Sequence, residues 1–134
     1  MNKYVKFHHY GLAVTTFKEA ISFHRNLGYT FTDEIYDELQ NVMLMLCTSK
    51  EFPSVELVKP VNDDNPINIY LKNNNAIIYH ICYEINTNKI SISDFFSNNR
   101  FFCVSKPKPA ILFNKRLVSF YYLNNVGLVE ILEK

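Results

Sequence analysis

Residues 79–85 read Tyr-His-Ile-Cys-Tyr-Glu-Ile, a strand-like run in which His80 occupies a position where an apolar residue would cost less free energy. Residues 7–14 read Phe-His-His-Tyr-Gly-Leu-Ala-Val and have the same character. In a strand, side chains alternate between the two faces, so His9 is predicted to share a face with the small residues that follow it. These two histidine strands organise the prediction of the whole chain.

Two glutamates complete the pattern. Glu56 and Glu130 each stand alone in an apolar, strand-like segment. His9 and Glu56 are 47 positions apart, and His80 and Glu130 are 50 positions apart. The similar spacing indicates that one unit of sequence is present twice.

The predicted elements repeat in the order βαβββ, linker, βαβββ. This order predicts an α+β fold in which two βαβββ modules form a cupped mixed sheet around a metal site. A single domain is expected, with module one at about 5–60, a linker at about 61–75 and module two at about 76–134. The linker is expected to contain one short helix, after Pro66.

The predicted strands are 6–14, 29–35, 41–47, 54–59, 77–85, 101–105, 117–123 and 127–132. Two crossover helices are predicted, one at 17–28 and one within 86–99, and the first is expected to begin with a capping box formed by Thr16 and Glu19.

Composition excludes several classes of function. The chain has 134 residues, 48% of them hydrophobic, which is enough for one domain with a real core. Its net charge is +1, and neither basic nor acidic residues form a long run. This argues against nucleic-acid binding and against a polybasic membrane patch. No apolar run approaches the roughly 20 residues that span a bilayer.

The cysteines indicate the compartment. Cys47, Cys82 and Cys103 are an odd number at unrelated spacings, each inside an apolar run. They are therefore predicted to be buried thiols in a reducing environment, and the protein is expected to be cytoplasmic.

The four singled-out side chains suit a metal. Two imidazole nitrogens and two carboxylate oxygens, from His9, Glu56, His80 and Glu130, form a set suited to Zn, Ni, Co, Mn or Fe. A strand histidine taken alone is more often a packed, hydrogen-bonded residue. A carboxylate buried without a partner carries a large desolvation cost, so the duplicated pairs favour the metal interpretation.

A family resemblance rests on five segments. Together these segments resemble the vicinal oxygen chelate superfamily, which includes glyoxalases, bleomycin resistance proteins and dioxygenases. The segments are residues 9–14, the helix ending Asn-Leu-Gly-Tyr at 26–29, and residues 55–60, 79–85 and 127–132. The match covers nearly the whole chain and is nearest to small bacterial glyoxalase I-like and methylmalonyl-CoA epimerase-like proteins.

The resemblance implies one divalent metal ion (Zn, Ni, Co or Mn) held by His9, Glu56, His80 and Glu130. It also implies a cytoplasmic enzyme, frequently a homodimer, that moves a proton next to a carbonyl through a metal-stabilised enediolate or enolate. Glu56 or Glu130 would serve as the catalytic base. The substrate would be a small molecule such as an anionic thioester or a glutathione adduct, and neither nucleic acid nor membrane is expected as a partner.

The type of reaction depends on the strand before the second ligand. In the epimerases this strand carries a carboxylate base, and Met43 is predicted to occupy the matching place here. A thioether cannot accept a proton from carbon, which favours a lactoylglutathione lyase-like enzyme over an epimerase. An Fe(II) oxygenase and a non-catalytic small-molecule-binding protein are two further hypotheses. Three basic residues in a predicted loop, Lys106, Lys108 and Arg116, are candidates for holding an anionic tail.

Overall fold

Residues 2–134 are described by the computed structural model, and over this range the chain forms nine β-strands and three short α-helices. The strands are β1 (Val5–Val14), β2 (Thr30–Phe31), β3 (Ile35–Asp37), β4 (Val42–Thr48), β5 (Ser54–Pro60), β6 (Ala76–Ile85), β7 (Phe101–Ala110), β8 (Arg116–Leu123) and β9 (Gly127–Glu133). The helices are α1 (Lys18–Asn26), α2 (Asn68–Leu71) and α3 (Ile92–Phe95). Within the described range, no helix combines the length and apolar character needed to cross a membrane.

The chain divides into two compact units. The first unit is His9–Tyr79, and the second comprises the N-terminal residues up to His8 together with His80–Lys134. Both boundaries fall inside strands, β1 and β6. The predicted α+β class, with a strand-helix-strands order repeated along a mixed sheet, is confirmed.

The first unit holds a mixed sheet in the order β2-β4-β5-β1, with β3 paired to β4. β1 and β5 are parallel, and β4 is antiparallel to β2, β3 and β5. Helix α1 covers one face of this sheet, where Phe17, just before the helix, packs in a core cluster with Met45, Cys47 and Leu57. Helix α1 therefore does not cover the opposite face of this sheet.

The second unit repeats the arrangement in the order β6-β9-β8-β7. β6 and β9 are parallel, and the other two pairings are antiparallel. The face near α3 is closed by a cluster that includes Ile85, Phe96, Tyr121 and Ile131. Parallel pairing between the first and last strands of each unit is thus a shared feature of the repeat.

One strand predicted at 29–35 is divided into β2 and β3. The backbone N–H of Thr32 donates to the Leu46 carbonyl oxygen at 3.0 Å, but the N–H of Leu46 donates to the Thr32 hydroxyl, also at 3.0 Å. Because a side-chain oxygen replaces the carbonyl, the ladder is interrupted there. Tyr36 and Asp37, which follow the predicted strand, belong to β3.

The predicted loop at 106–116 is wrong over its first half, because β7 continues to Ala110. Pro107 and Pro109 have no N–H to donate, which argued for a loop. β7 has β8 as its one strand neighbour in the described part of the chain, and an edge strand tolerates missing donors. The ladder accommodates the first proline with a register shift between Ser105 and Lys108.

Candidate metal centre

The first unit contains a buried pair formed by His9 on β1 and Glu56 on β5. In the parallel register, Glu56 lies opposite Gly11, two residues beyond the histidine, so both side chains project from the same sheet face. His9 is 0% exposed and Glu56 is 5% exposed. The imidazole Nε2 lies 3.8 Å from the carboxylate Oε1.

The second unit contains the same pair, formed by His80 on β6 and Glu130 on β9. Glu130 lies opposite Cys82, again two residues beyond the histidine. Both residues are 2% exposed, and His80 Nε2 lies 3.9 Å from Glu130 Oε1. The ring of Phe120 meets the His80 imidazole edge to face, with ring centroids 5.4 Å apart.

The two pairs share strand order, register offset, burial and separation. In each pair one imidazole nitrogen lies 3.8 or 3.9 Å from a carboxylate oxygen, which is close enough for both atoms to bind one ion. A buried carboxylate is costly unless a cation or hydrogen bonds compensate it, and a divalent cation would do so in each pair. This donor chemistry fits the borderline divalent metals that the sequence indicated.

The position of Met43 corrects the prediction made for β4. Met43 packs against the cluster beneath α1, on the face opposite to Glu56. The β4 residue directly across from Glu56 is Leu46, and Leu44 follows on the same face. The sequence-based prediction for Met43 is therefore wrong about the face of the strand, because a one-residue error in register exchanges the two faces. The absence of a carboxylate on this face of β4 still holds.

An ion pair on the β6 face was missed by the sequence analysis. Arg116 donates from Nη2 to Glu84 Oε2 at 2.6 Å and from Nε to the Glu133 carbonyl oxygen at 3.0 Å. Glu84 lies four residues after His80, on the same face, and this even spacing was a signal that could have found it. Arg116, proposed as a contact for an anionic tail, is therefore already bonded within the chain. Lys106 and Lys108 are exposed on β7.

Burial and Arg116 act in opposite directions on the Glu84 carboxyl. Burial raises its pKa, whereas the hydrogen bond and the charge of Arg116 lower it, and His8 and Lys6 lower it further. The net pKa lies below the ordinary glutamate value. Glu84 is therefore held in its charged form at neutral pH.

His24 and two of the three cysteines are buried. His24 is buried on α1 with its Nδ1 2.7 Å from the Ala20 carbonyl oxygen. Cys47 and Cys82 are buried as predicted, but Cys103 is exposed on β7. Burial raises the pKa of the Cys47 thiol to about 12, so this thiol stays protonated and unreactive.

Comparison with protein families gives a match over most of the chain. Residues 8–120 match the model of the glyoxalase/bleomycin resistance protein/dioxygenase superfamily. The chain is also 26% identical over 132 residues to the mitochondrial methylmalonyl-CoA epimerase of Dictyostelium discoideum, covering 96% of this chain and 78% of that protein.

Solved structures share the fold. A hypothetical protein of Bacillus halodurans superposes with a TM-score of 0.80 at 22% identity, covering 97% of this chain and 94% of that one. A variant of Streptomyces coelicolor methylmalonyl-CoA epimerase, in complex with 2-nitronate-propionyl-CoA, superposes with a TM-score of 0.75 at 17% identity, covering 98% of both chains. At these identities the likeness shows the fold.

Proposed function

Because the chain belongs to the glyoxalase/bleomycin resistance protein/dioxygenase superfamily, we propose that it is a metal-dependent isomerase that moves a proton at the carbon next to a thioester carbonyl. The observation that carries the proposal is the repeated buried pair, His9 with Glu56 and His80 with Glu130. Burial of two carboxylates carries a desolvation cost, and a bound cation would offset it.

We propose that the two pairs together hold one divalent ion. Two imidazoles and two carboxylates would leave it neutral overall, and a six-coordinate ion would keep positions open for substrate oxygens. When bound, such an ion supplies Lewis-acid stabilisation of the negative charge that develops on a carbonyl oxygen. The matched geometry of the pair in each unit supports this assignment.

The chain itself supplies the proton transfer. The face of β4 beside Glu56 presents Leu44 and Leu46, which cannot accept a proton. The base is therefore assigned to the ligand carboxylates, with Glu56 and Glu130 each able to take a proton from carbon or return it. One carboxylate from each unit would serve inversion at the α-carbon, in which the proton leaves from one side and returns on the other.

An acyl-CoA thioester is the proposed substrate class. The Dictyostelium relative is a methylmalonyl-CoA epimerase, and the Streptomyces structure contains a propionyl-CoA derivative. These similarities favour a 2-substituted acyl thioester over a glutathione adduct. As in the sequence-based expectation, we propose that the protein works in the cytoplasm as a homodimer, which light scattering after size-exclusion chromatography would test.

Deuterium exchange tests the activity directly. Metal-loaded protein in D2O is expected to exchange the α-proton of methylmalonyl-CoA and to interconvert its epimers. With Glu56→Gln or Glu130→Gln, an amide oxygen remains to contact the metal, so exchange from one epimer should persist while interconversion falls by at least about a hundredfold. Loss of neither property in either variant would refute the assignment of the bases.

A glyoxalase-type lyase is the second candidate. It is favoured by the apolar face of β4, because a reaction that uses a metal-ligand glutamate as its base needs no carboxylate from that strand. The hemithioacetal of methylglyoxal and glutathione is the matching substrate. Turnover of this compound, with no exchange of methylmalonyl-CoA, would select the lyase.

A further inference from the structure

A second group of metal-ligating side chains lies on β1 and β6. His8, His9 and Cys82 each offer one ligand atom, and these three atoms lie within 4.8 Å of one another. His9 follows His8 directly along β1, so the strand itself sets the distance between the two rings. Cys82 comes from β6. Neither the proposed four-ligand centre nor the proposed proton transfer uses His8 or Cys82.

Contacts within the second unit fix the position of His8. Its ring meets Phe113 edge to face, with ring centroids 5.2 Å apart. The charge of His8 also helps to lower the pKa of the Glu84 carboxyl, and Glu84 stands two residues beyond Cys82 on β6. His8 is partly exposed, whereas Cys82 is 0% exposed. An ion can therefore approach the buried sulfur from the side of the His8 imidazole.

The donor atoms of this group are softer than those of the four-ligand centre. A thiolate with two imidazoles favours ions that bind sulfur well, such as Zn²⁺ and Cu⁺, over ions that prefer oxygen, such as Mn²⁺. Zn–S and Zn–N bonds are about 2.3 and 2.0–2.1 Å long, so two ligand atoms on one tetrahedral ion lie roughly 3.5 Å apart. Side-chain rotations that move the ligand atoms by about 1 Å would reach this geometry.

The other two cysteines have different surroundings. Cys47 packs beneath α1 with apolar residues such as Phe17 and Leu57, and burial raises its pKa to about 12. Cys103 is exposed on the edge strand β7. Within residues 2–134, neither thiol belongs to a group of three or more ligand side chains. The three cysteines therefore form a matched set, in which Cys82 alone has two histidines as neighbouring ligands.

We propose that His8, His9 and Cys82 form a second metal site, which binds a thiophilic ion such as Zn²⁺ or Cu⁺. On binding, the S–H bond of Cys82 breaks, its proton passes to the solvent, and the thiolate sulfur forms a bond to the ion. No oxidation state changes. His9 belongs to both ligand sets, but the four-ligand centre contains no sulfur, so a metal–thiolate bond identifies this site.

Cadmium is the probe, because a cadmium–thiolate bond gives an ultraviolet charge-transfer band that nitrogen and oxygen ligands do not give. Metal-free full-length protein carrying Cys103→Ser is titrated, since the exposed Cys103 could bind cadmium by itself. A band that saturates with a single cadmium–thiolate bond per chain is expected. Adding Cys82→Ser should abolish this band. Cys47→Ser, the matched control at the other buried thiol, should leave it unchanged.

His8→Phe tests the contribution of the exposed histidine. The phenyl ring can keep the edge contact with Phe113, but it offers no ligand atom. The affinity for cadmium should therefore fall by at least about tenfold, since loss of even an outer partner of a metal ligand costs about 10–100-fold. Thermal unfolding confirms that each variant is folded, and Cys82→Ala replaces Cys82→Ser if a buried hydroxyl prevents folding.

Glu56→Ala separates this inference from the proposed function. Glu56 belongs to the four-ligand centre and not to the thiolate site, so the cadmium–thiolate band should persist in this variant. Absence of the band from the Cys103→Ser protein would overturn the inference, as would a band that survives Cys82→Ser or disappears with Glu56→Ala. An unchanged affinity in His8→Phe would overturn it as well. None of these results bears on the proposed function, which is decided by α-proton exchange.

Discussion

Glu84 and Arg116 show how a residue can be recognised correctly by type and wrongly by role. The sequence marked Arg116 as a basic residue in a loop, open to an anion. The structure places it at the start of β8, bonded to the Glu84 carboxylate at 2.6 Å. Which charges meet across strands is decided by register, and register is not visible in a single segment.

Arg116→Met should lower the free energy of unfolding by about 0.5–1 kcal/mol at neutral pH, since the pair is only partly buried. The folded-state pKa of Glu84 is lowered, so the pair's stabilisation is present above the unfolded glutamate pKa of about 4.3 and is lost as pH falls through the folded value. Urea unfolding at pH 7 and pH 3 measures this. A difference between variant and parent that is as large at pH 3 as at pH 7 would contradict the account.

Met43 allows a second prediction at this scale. Because its side chain packs under α1, Met43→Ala should lower the free energy of unfolding by about 1–2 kcal/mol while leaving the α-proton exchange rate of folded protein unchanged. Exchange assayed well below the unfolding temperature, together with urea unfolding, separates the two effects. A large loss of exchange in fully folded protein would instead favour the sequence-based placement of Met43 beside the ligands.

At the scale of elements, the crossover helices differ in how they begin. The sequence predicted a capping box at Thr16 and Glu19, but the Thr16 hydroxyl donates to the Glu19 carboxylate at 2.9 Å, and no side chain caps the backbone of α1. Ser91, before α3, does act as an N-cap: its hydroxyl oxygen accepts from the Asp94 N–H at 3.0 Å. The sequence therefore predicted a side-chain cap at α1, which has none, and did not predict the cap that Ser91 provides for α3.

Ser91→Ala should lower the free energy of unfolding by about 1 kcal/mol, because it leaves a helix N–H without its acceptor. Thr16→Ala is the matched comparison, and it should cost less because no backbone group loses a partner. The Thr16 bond lowers the pKa of Glu19, so Thr16→Ala should also raise that pKa, which carboxyl NMR titration would detect. Equal losses of stability in the two variants would contradict the difference between the helix starts.

At the scale of the whole molecule, the duplicated pairs raise the question of one ion or two. If His9, Glu56, His80 and Glu130 hold a single ion, the metal content should be about one per chain. Removing it with a chelator should lower the unfolding temperature, because a ligand at a hundred times its Kd stabilises the folded state by about 2.7 kcal/mol.

Glu56→Ala and Glu130→Ala distinguish one shared ion from two separate ions, since each variant alters one pair only. For one shared ion, either variant should abolish the whole metal-induced rise in unfolding temperature. Independent sites would instead leave about half of the metal content, measured by elemental analysis, in each variant. That outcome would refute the single four-ligand centre and would leave the fold unaffected.

The sequence by itself determined the repeat, the fold class and the superfamily, and it identified His9, Glu56, His80 and Glu130 as the candidate ligands. Period-two alternation and matched spacing are local properties, and they survive without any knowledge of strand pairing. Only the tertiary structure decided which face Met43 takes and that Arg116 is paired with Glu84. These features depend on register between strands distant in sequence, where a shift of one residue exchanges the two faces.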